Sequence, residues 1–145
     1  MLIRPCGICI VGNRLLTMRY TYGSHNRFNL PGGSQEGEEQ VVDTLHREFM
    51  EELGVNIEVG DLLLTCETLI KNRLTLHLAF QITRIKGTPR CNPTETRAQE
   101  VTWLPLEHLG RDILYPAIGP ELESAILPDH PHPTHLGRLN QPWFE

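Results

Sequence analysis

The chain of 145 residues has no basic surplus: 13 Lys and Arg face 18 Asp and Glu, a formal net charge of -5. That excludes gripping nucleic acid through a broad positive surface. An acidic protein can still take phosphates by way of metal cations. Long apolar runs are missing too. The run from Asp61-Leu62-Leu63-Leu64 onward is far shorter than the roughly 20 residues a bilayer-spanning helix needs. The start, Met1-Leu2-Ile3-Arg4-Pro5, has neither the basic opening nor the long apolar core of a signal peptide. A soluble cytoplasmic protein with no nucleic-acid or membrane partner is the expectation. Cysteine is scarce: Cys6, Cys9, Cys66 and Cys91. Cys6 and Cys9 form a C-x-x-C, but no second such pair exists to complete a zinc site. Residues 3–11 read as a strand, on which residues three apart face opposite ways. The two thiols therefore diverge and read as core.

Neither an internal repeat nor a second-domain linker is visible, and the length suits one domain with a real core. The pattern predicts a mixed α/β chain. A strand over 3–11, a turn at Gly12-Asn13 and a strand over 14–20 make a hairpin. Residues 21–27 read as a polar loop and 28–30 as a short extended piece, stopped by Pro31-Gly32-Gly33. A helix runs from about Glu39 to Leu53. Strands follow over 55–59, 62–71 and 74–85, with Lys71-Asn72-Arg73 as a turn. Residues 86–97 are a loop, 100–104 a last strand, and 121–127 a short helix. The domain is expected to close at 127. Residues 128–145, with four prolines, read as an irregular, partly held tail. His130, His132 and His135 lie in that tail and read as surface rather than as a metal tract.

The helix carries the chemistry. Val42, Leu45, Phe49 and Leu53 recur at i, i+3, i+7 and i+11, one apolar stripe that must face a core. Glu48, Glu51 and Glu52 share a neighbouring face and crowd one another. Gly54 is suited to end the helix in a left-handed conformation. Carboxylates late in a helix are poorly placed against its dipole, so something positive belongs among them. A divalent cation fits, since Mg²⁺ takes oxygen ligands from one or two carboxylates plus substrate phosphates. Arg47 can balance a glutamate through a bidentate pair. Pro31-Gly32-Gly33 lies just upstream, and there the backbone can approach a ligand and offer carbonyls.

From Gly33 to Val55 the spacing resembles the Nudix box, G-x5-E-x7-R-E-U-x-E-E-x-G-U with U a bulky apolar residue. Gly33, Glu39, Arg47-Glu48-Phe49, Glu51-Glu52 and Gly54-Val55 fill every defined position. Leu30-Pro31-Gly32-Gly33 is similar to the family's lead-in, residues 14–19 to its second strand, and Glu100-Val101-Thr102-Trp103 to its late E-x-x-W strand. The resemblance spans about residues 2–110. One departure stands out: Gly37 falls one place earlier than usual, and Glu38 takes its position.

The resemblance implies an α/β/α sandwich around a mixed sheet, with the box as a loop-helix-loop. It implies Mg²⁺- or Mn²⁺-dependent hydrolysis of a nucleoside diphosphate linked to some moiety X, such as a (deoxy)nucleoside triphosphate. By the same analogy Glu51 and Glu52 are metal ligands, and Glu48 a third ligand or the general base. Gly32 lends its carbonyl, Glu39 serves a second metal, and Arg47 orients the acids. Glu100 is an extra ligand or base, or else a plain strand-edge carboxylate. Arg27, Phe28 and Gly33 are expected against substrate. Phe28, Tyr20 and Tyr22 suit either a base pocket or sheet packing, and Trp103 reads as core. Arg4, Arg19 and Arg27 stand near strand ends, where single arginines are usually solvated. Residues 71–73 lack the proline or tyrosine that marks relatives acting on ADP-ribose or diadenosine polyphosphates. That leaves an ADP-ribose or nucleotide-sugar pyrophosphatase as the weaker alternative. A nucleotide-sensing module without turnover is a further alternative, against which the complete set of acids argues. The last is an unrelated protein whose glutamates are only a solvated face. A homodimer is the expected assembly.

Overall fold

The structure, a computed structural model, describes residues 1–125 and 134–144. The strands are β1 (Leu2–Ile8), β2 (Ile10–Val11), β3 (Arg14–Tyr22), β4 (His25–Asn29), β5 (Asn56–Ile70), β6 (Arg73–Lys86), β7 (Glu100–Pro105), β8 (Leu114–Tyr115) and β9 (His135–Arg138). The helices are α1 (Val41–Leu53) and α2 (Gly119–Ala125). One sheet runs β1-β6-β5-β9; the other runs β2-β3-β4-β8, with β7 on the free side of β3. Both are mixed. β1 runs parallel to β6 from Leu2 opposite Thr75 to Ile8 opposite Gln81, whereas β5 and β6 are antiparallel. Among the described residues no helix is long and apolar enough to cross a membrane.

The turns follow local chemistry. Lys71 and Asn72 both take positive φ, 50° and 62°, the two-residue hairpin turn that matches strand twist. Three expectations need correction. The stretch over 3–11 is not one strand: the chain changes sheet at Cys9, so only β2 forms the hairpin with β3. Residues 21–27 are not a loop but the facing ends of β3 and β4, paired from Met18 opposite Asn29 to Tyr22 opposite His25. The expected strands 55–59 and 62–71 are one strand, β5, whose register slips between Glu58 and Leu64. A bulge there absorbs what reads in the sequence as a break. The short helix is present as Gly119–Ala125; Leu127, His130 and His132 lie outside the described residues.

The described part of the tail holds one strand. β9 pairs parallel with β5, Thr65 facing His135 and Glu67 facing Arg138. Thr65 Oγ1 lies 2.7 Å from His135 Nδ1, and Arg138 lies 3.5 Å from Glu67. His135 is thus a strand residue.

Two apolar layers hold the sheets. Leu45, Phe49 and Leu53 of α1 bury against Cys9, Leu16, Met18 and Ile82 on one side. Cys6, Leu15, Leu30, Leu64 and Leu122 fill the other. Cys6 and Cys9 fall in different layers, and no cysteine among the described residues is paired. Of the predicted stripe of α1, Leu45, Phe49 and Leu53 are buried and Val42 is partly buried against the same layer. A Cβ at Gly7 would meet the Phe49 ring at 2.7 Å, so β1 approaches the helix more closely than a side chain allows. Gly54 ends α1 with φ 68°, its N–H donating to the Met50 carbonyl at 3.0 Å.

One buried polar group joins β1, β5 and β6. His77 is 0% exposed. Arg4 Nη1 lies 3.5 Å from its Nδ1, and Thr68 Oγ1 lies 2.8 Å from its Nε2. A guanidinium only donates, so Nδ1 accepts and Nε2–H donates to Thr68. Burial, reinforced by the Arg4 charge, pushes the His77 pKa down to about 3. The folded state therefore keeps the ring neutral while the unfolded chain protonates it below about pH 6.5. This contribution is intact above that pH and is lost as pH falls toward 3, at about 1.4 kcal/mol per pH unit. Urea unfolding at pH 7 and pH 5 should show His77→Gln with a shallower acid loss than wild type by about that slope. Equal slopes would mean that His77 protonates freely in the folded protein.

Candidate active site

The loop after β4 is laced to β1 by backbone. Gly7 N–H donates to the Pro31 carbonyl at 2.8 Å, Gly33 N–H to Pro5 at 3.2 Å, and Gln35 N–H to Ile3 at 2.9 Å. Cys6 and Gly32 form a bridge between the segments. A Cβ at Gly32 would run into the Pro5 carbonyl, and one at Gly33 would fall on the Glu48 carboxylate. Both glycines are there because backbone and acid occupy the space a side chain would need.

Arg47 organises the acids. Its Nε and Nη2 donate to the two oxygens of Glu39 at 3.1 and 2.7 Å, a bidentate fork. Its Nη1 donates to Glu48 at 3.0 Å and Glu51 at 3.2 Å, and Nη2 also reaches the Ser34 carbonyl at 3.3 Å. Glu36 lies 3.8 Å away. Glu39 also accepts from the Thr44 hydroxyl at 2.8 Å and the Glu36 N–H at 3.0 Å. Arg47, then the Thr44 hydroxyl, hold the Glu39 pKa down to about 2. Both Glu39 oxygens are thus engaged within the protein. Glu39 comes from the loop and Arg47 from the helix, so the fork ties the two together.

Glu48 and Glu52 behave differently. The Glu48 side chain is 12% exposed, and burial raises its pKa against the pull of Arg47. Burial and then the neighbouring Glu48 push Glu52 up to about 8, partly opposed by Arg4. Two carboxylates one helical turn apart, enclosed together, cannot both ionise cheaply without a cation between them. Among the described residues no three His, Cys, Asp or Glu side chains already stand together as a metal cage. The pair nonetheless suits a divalent ion that draws its other oxygens from backbone, water and substrate phosphate. Glu51 remains on Arg47, 41% exposed.

The remaining candidates divide. Glu100 sits at the start of β7, 61% exposed and 3.4 Å from Arg19. Phe28 packs at the edge of one apolar layer, and Trp103 against the other. Arg4, read as solvated, and Arg27, read as solvated or against substrate, are buried at 8% and 3% exposure. Arg4 Nη2 donates to the Leu30 carbonyl at 2.8 Å, and its guanidinium lies 4.9 Å from the Tyr115 ring centre. Arg27 donates to Asn29 at 2.9 Å and to the Tyr22 hydroxyl at 3.2 Å. Its guanidinium is ringed by Tyr20, Tyr22, Tyr115 and Trp143. Tyr115 and Trp143 do not emerge from sequence patterning, because only the path of the C-terminal segment brings them to β4.

A family model described as NUDIX domain matches residues 2–124. No curated protein matches the sequence. Among solved structures, the fold is similar to the E. coli ORF135 protein, with TM-score 0.72 and 23% identity, over 85% of this chain and 86% of that one. It is similar to a MutT NUDIX hydrolase from Burkholderia pseudomallei, with TM-score 0.65 and 23% identity, over 73% and 84% of the two chains. An ADP-ribose pyrophosphatase from Streptococcus suis matches at TM-score 0.52 and 14% identity, over 73% and 75%.

In metal-free protein the Glu52 carboxyl should titrate near pH 8 by ¹³C NMR, and Glu48→Gln should lower that value by removing a charged neighbour. A Glu52 midpoint in the ordinary range, unmoved by Glu48→Gln, would show that the two acids are not coupled.

Proposed function

The chain belongs to the Nudix domain family, and from that premise we propose that it hydrolyses a phosphoanhydride bond in a nucleoside diphosphate linked to X, with a nucleoside triphosphate as the favoured substrate class. The observation that carries the reading is the enclosed Glu48–Glu52 pair, set against the Gly32-Gly33 backbone and flanked by the Arg47 fork. Such a pair is unfavourable in an empty protein and favourable once a cation and a polyphosphate fill it.

Glu48 and Glu52 would hold Mg²⁺ or Mn²⁺ with the Gly32 carbonyl, and Glu51 would join them once released from Arg47. When bound, the cation supplies charge neutralisation at the phosphate oxygens and acidifies a coordinated water. Glu48 Oε1 is already fixed by Arg47, so its other oxygen would serve either as a metal ligand or as the acceptor of a proton from the attacking water. Glu39 holds Arg47 rather than a second metal in this assignment, because both of its oxygens are engaged. Glu100, exposed and paired with Arg19, ranks below Glu48 as the base. Positioning is the main contribution of the fold, since a displacement of about 1 Å in such a site can cost on the order of a hundredfold in rate.

Release of phosphate and pyrophosphate from nucleoside triphosphates, nucleotide sugars, ADP-ribose and dinucleoside polyphosphates, with and without Mg²⁺, tests the reading. Turnover should need the metal and should fall by well over a hundredfold in Glu52→Gln. Arg47→Lys keeps the charge but loses the fork, and should lose about 10- to 100-fold, as outer-shell changes do. Tight nucleotide binding with no turnover across the whole panel would replace the hydrolase with a sensing module.

A further inference from the structure

Arg27 is buried with a donor unmet. Its Nε and Nη2 are bonded to Asn29 and Tyr22, but Nη1 has no hydrogen-bond partner among the described residues and no contact with solvent. No described carboxylate pairs with it. Four rings surround the guanidinium instead: Trp143 at 3.9 Å, Tyr22 at 5.2 Å, and Tyr20 and Tyr115 at 5.3 Å. A ring face attracts a cation but does not replace an in-plane acceptor. A buried donor left unmet is costly, so this cage is complete in its stacking and incomplete in its hydrogen bonding.

Trp143 reaches the cage on a superficial segment. No residue from 134 to 144 is buried, and Trp143 itself is 38% exposed. Gln141 pins the segment, donating to the Leu114 carbonyl at 2.9 Å and accepting from the Ala117 N–H at 2.7 Å. Phe144 stacks on His25 with centroids 4.5 Å apart. The segment lies beyond the residues matched by the family model. A cavity of about 380 Å³, bordered by Trp143, Tyr115, Ile70 and Thr75, adjoins the cage.

We propose that Arg27 recognises the aromatic base of the nucleotide, and that Trp143 occupies the base's place in the free protein. A base laid over the guanidinium keeps the stacking that Trp143 provides. Its ring carbonyl or ring nitrogen adds the acceptor that Nη1 lacks. The cage is joined to the acids. Tyr115 packs on both Arg27 and Arg4, the Arg4 charge acts on Glu52, and Arg27 lies five residues before Gly32. A phosphate fits the cage poorly, because ring faces cannot satisfy its remaining oxygens. The proposal rests on the nucleotide reading above.

Binding of CTP, UTP, GTP and ATP to the Glu52→Gln background, with ribose 5-triphosphate as a base-free probe, tests it. Trp143→Ala should tighten binding of at least one of the four by roughly 2- to 30-fold, the worth of a displaced cation–π contact. It should leave ribose 5-triphosphate unchanged. Arg27→Lys should weaken the same nucleotide by about tenfold or more, with melting temperature measured to confirm folding. Truncation after Asn140 should reproduce Trp143→Ala without touching the buried arginine. Nucleotide affinity that is unchanged or weakened in both Trp143→Ala and the truncation overturns the proposal. Tightened binding beside a wild type that turns over nothing would overturn the hydrolase reading and leave the role of Arg27 standing.

Discussion

The bidentate pair between Arg47 and Glu39 is the contact on which the site depends. Glu48, Glu51 and Glu52 crowd the last turns of α1, where the helix dipole already disfavours negative charge. One guanidinium spreads its donors over Glu39, Glu48 and Glu51 and touches the Ser34 carbonyl as well. Loop and helix are therefore held at one distance by a rigid, planar group. A flexible point charge could balance the same acids without fixing where they stand. Both oxygens of Glu39 are committed to this fork.

That clamp works only because β1 supplies the floor. The Pro31–Gly33 segment hangs on the backbone of β1, β1 lies against Phe49 through Gly7, and Phe49 belongs to the same helix as Arg47. Core packing and site geometry are thus one set of constraints seen from two sides. The buried faces of α1 position its glutamates, and the glycines of the loop let one of those glutamates come within contact of the backbone.

Much of this was legible in the chain. The apolar stripe of α1, the glycine that ends it, the acids on its flank and the side-chain-free turn before it all follow from spacing, because helical periodicity is a local property. What escaped was non-local. Nothing near Cys9 marks the change of sheet, since a strand that leaves one partner for another keeps the same alternation. Gly60-Asp61 reads as a stop although the strand merely bulges there. The burial of Arg4 and Arg27 depends on rings supplied from Tyr115 and Trp143, about ninety or more positions away. Prolines in the tail suggested irregularity, while β9 is fixed by Thr65 and Glu67 on a strand from the middle of the chain.

The place of β1 has a consequence for the life of the polypeptide. Its hydrogen-bonded neighbour is β6, far along the chain, and Arg4 and His77, which meet across them, are 73 residues apart. During synthesis β1 lacks this partner until β6 has emerged, and the loop that needs β1 as its floor waits with it. A chain cut short before β6 has the acids and β1 but leaves that floor without its hydrogen-bonded neighbour. The geometry that holds the acids is therefore a product of long-range pairing, complete only once β6 has joined β1.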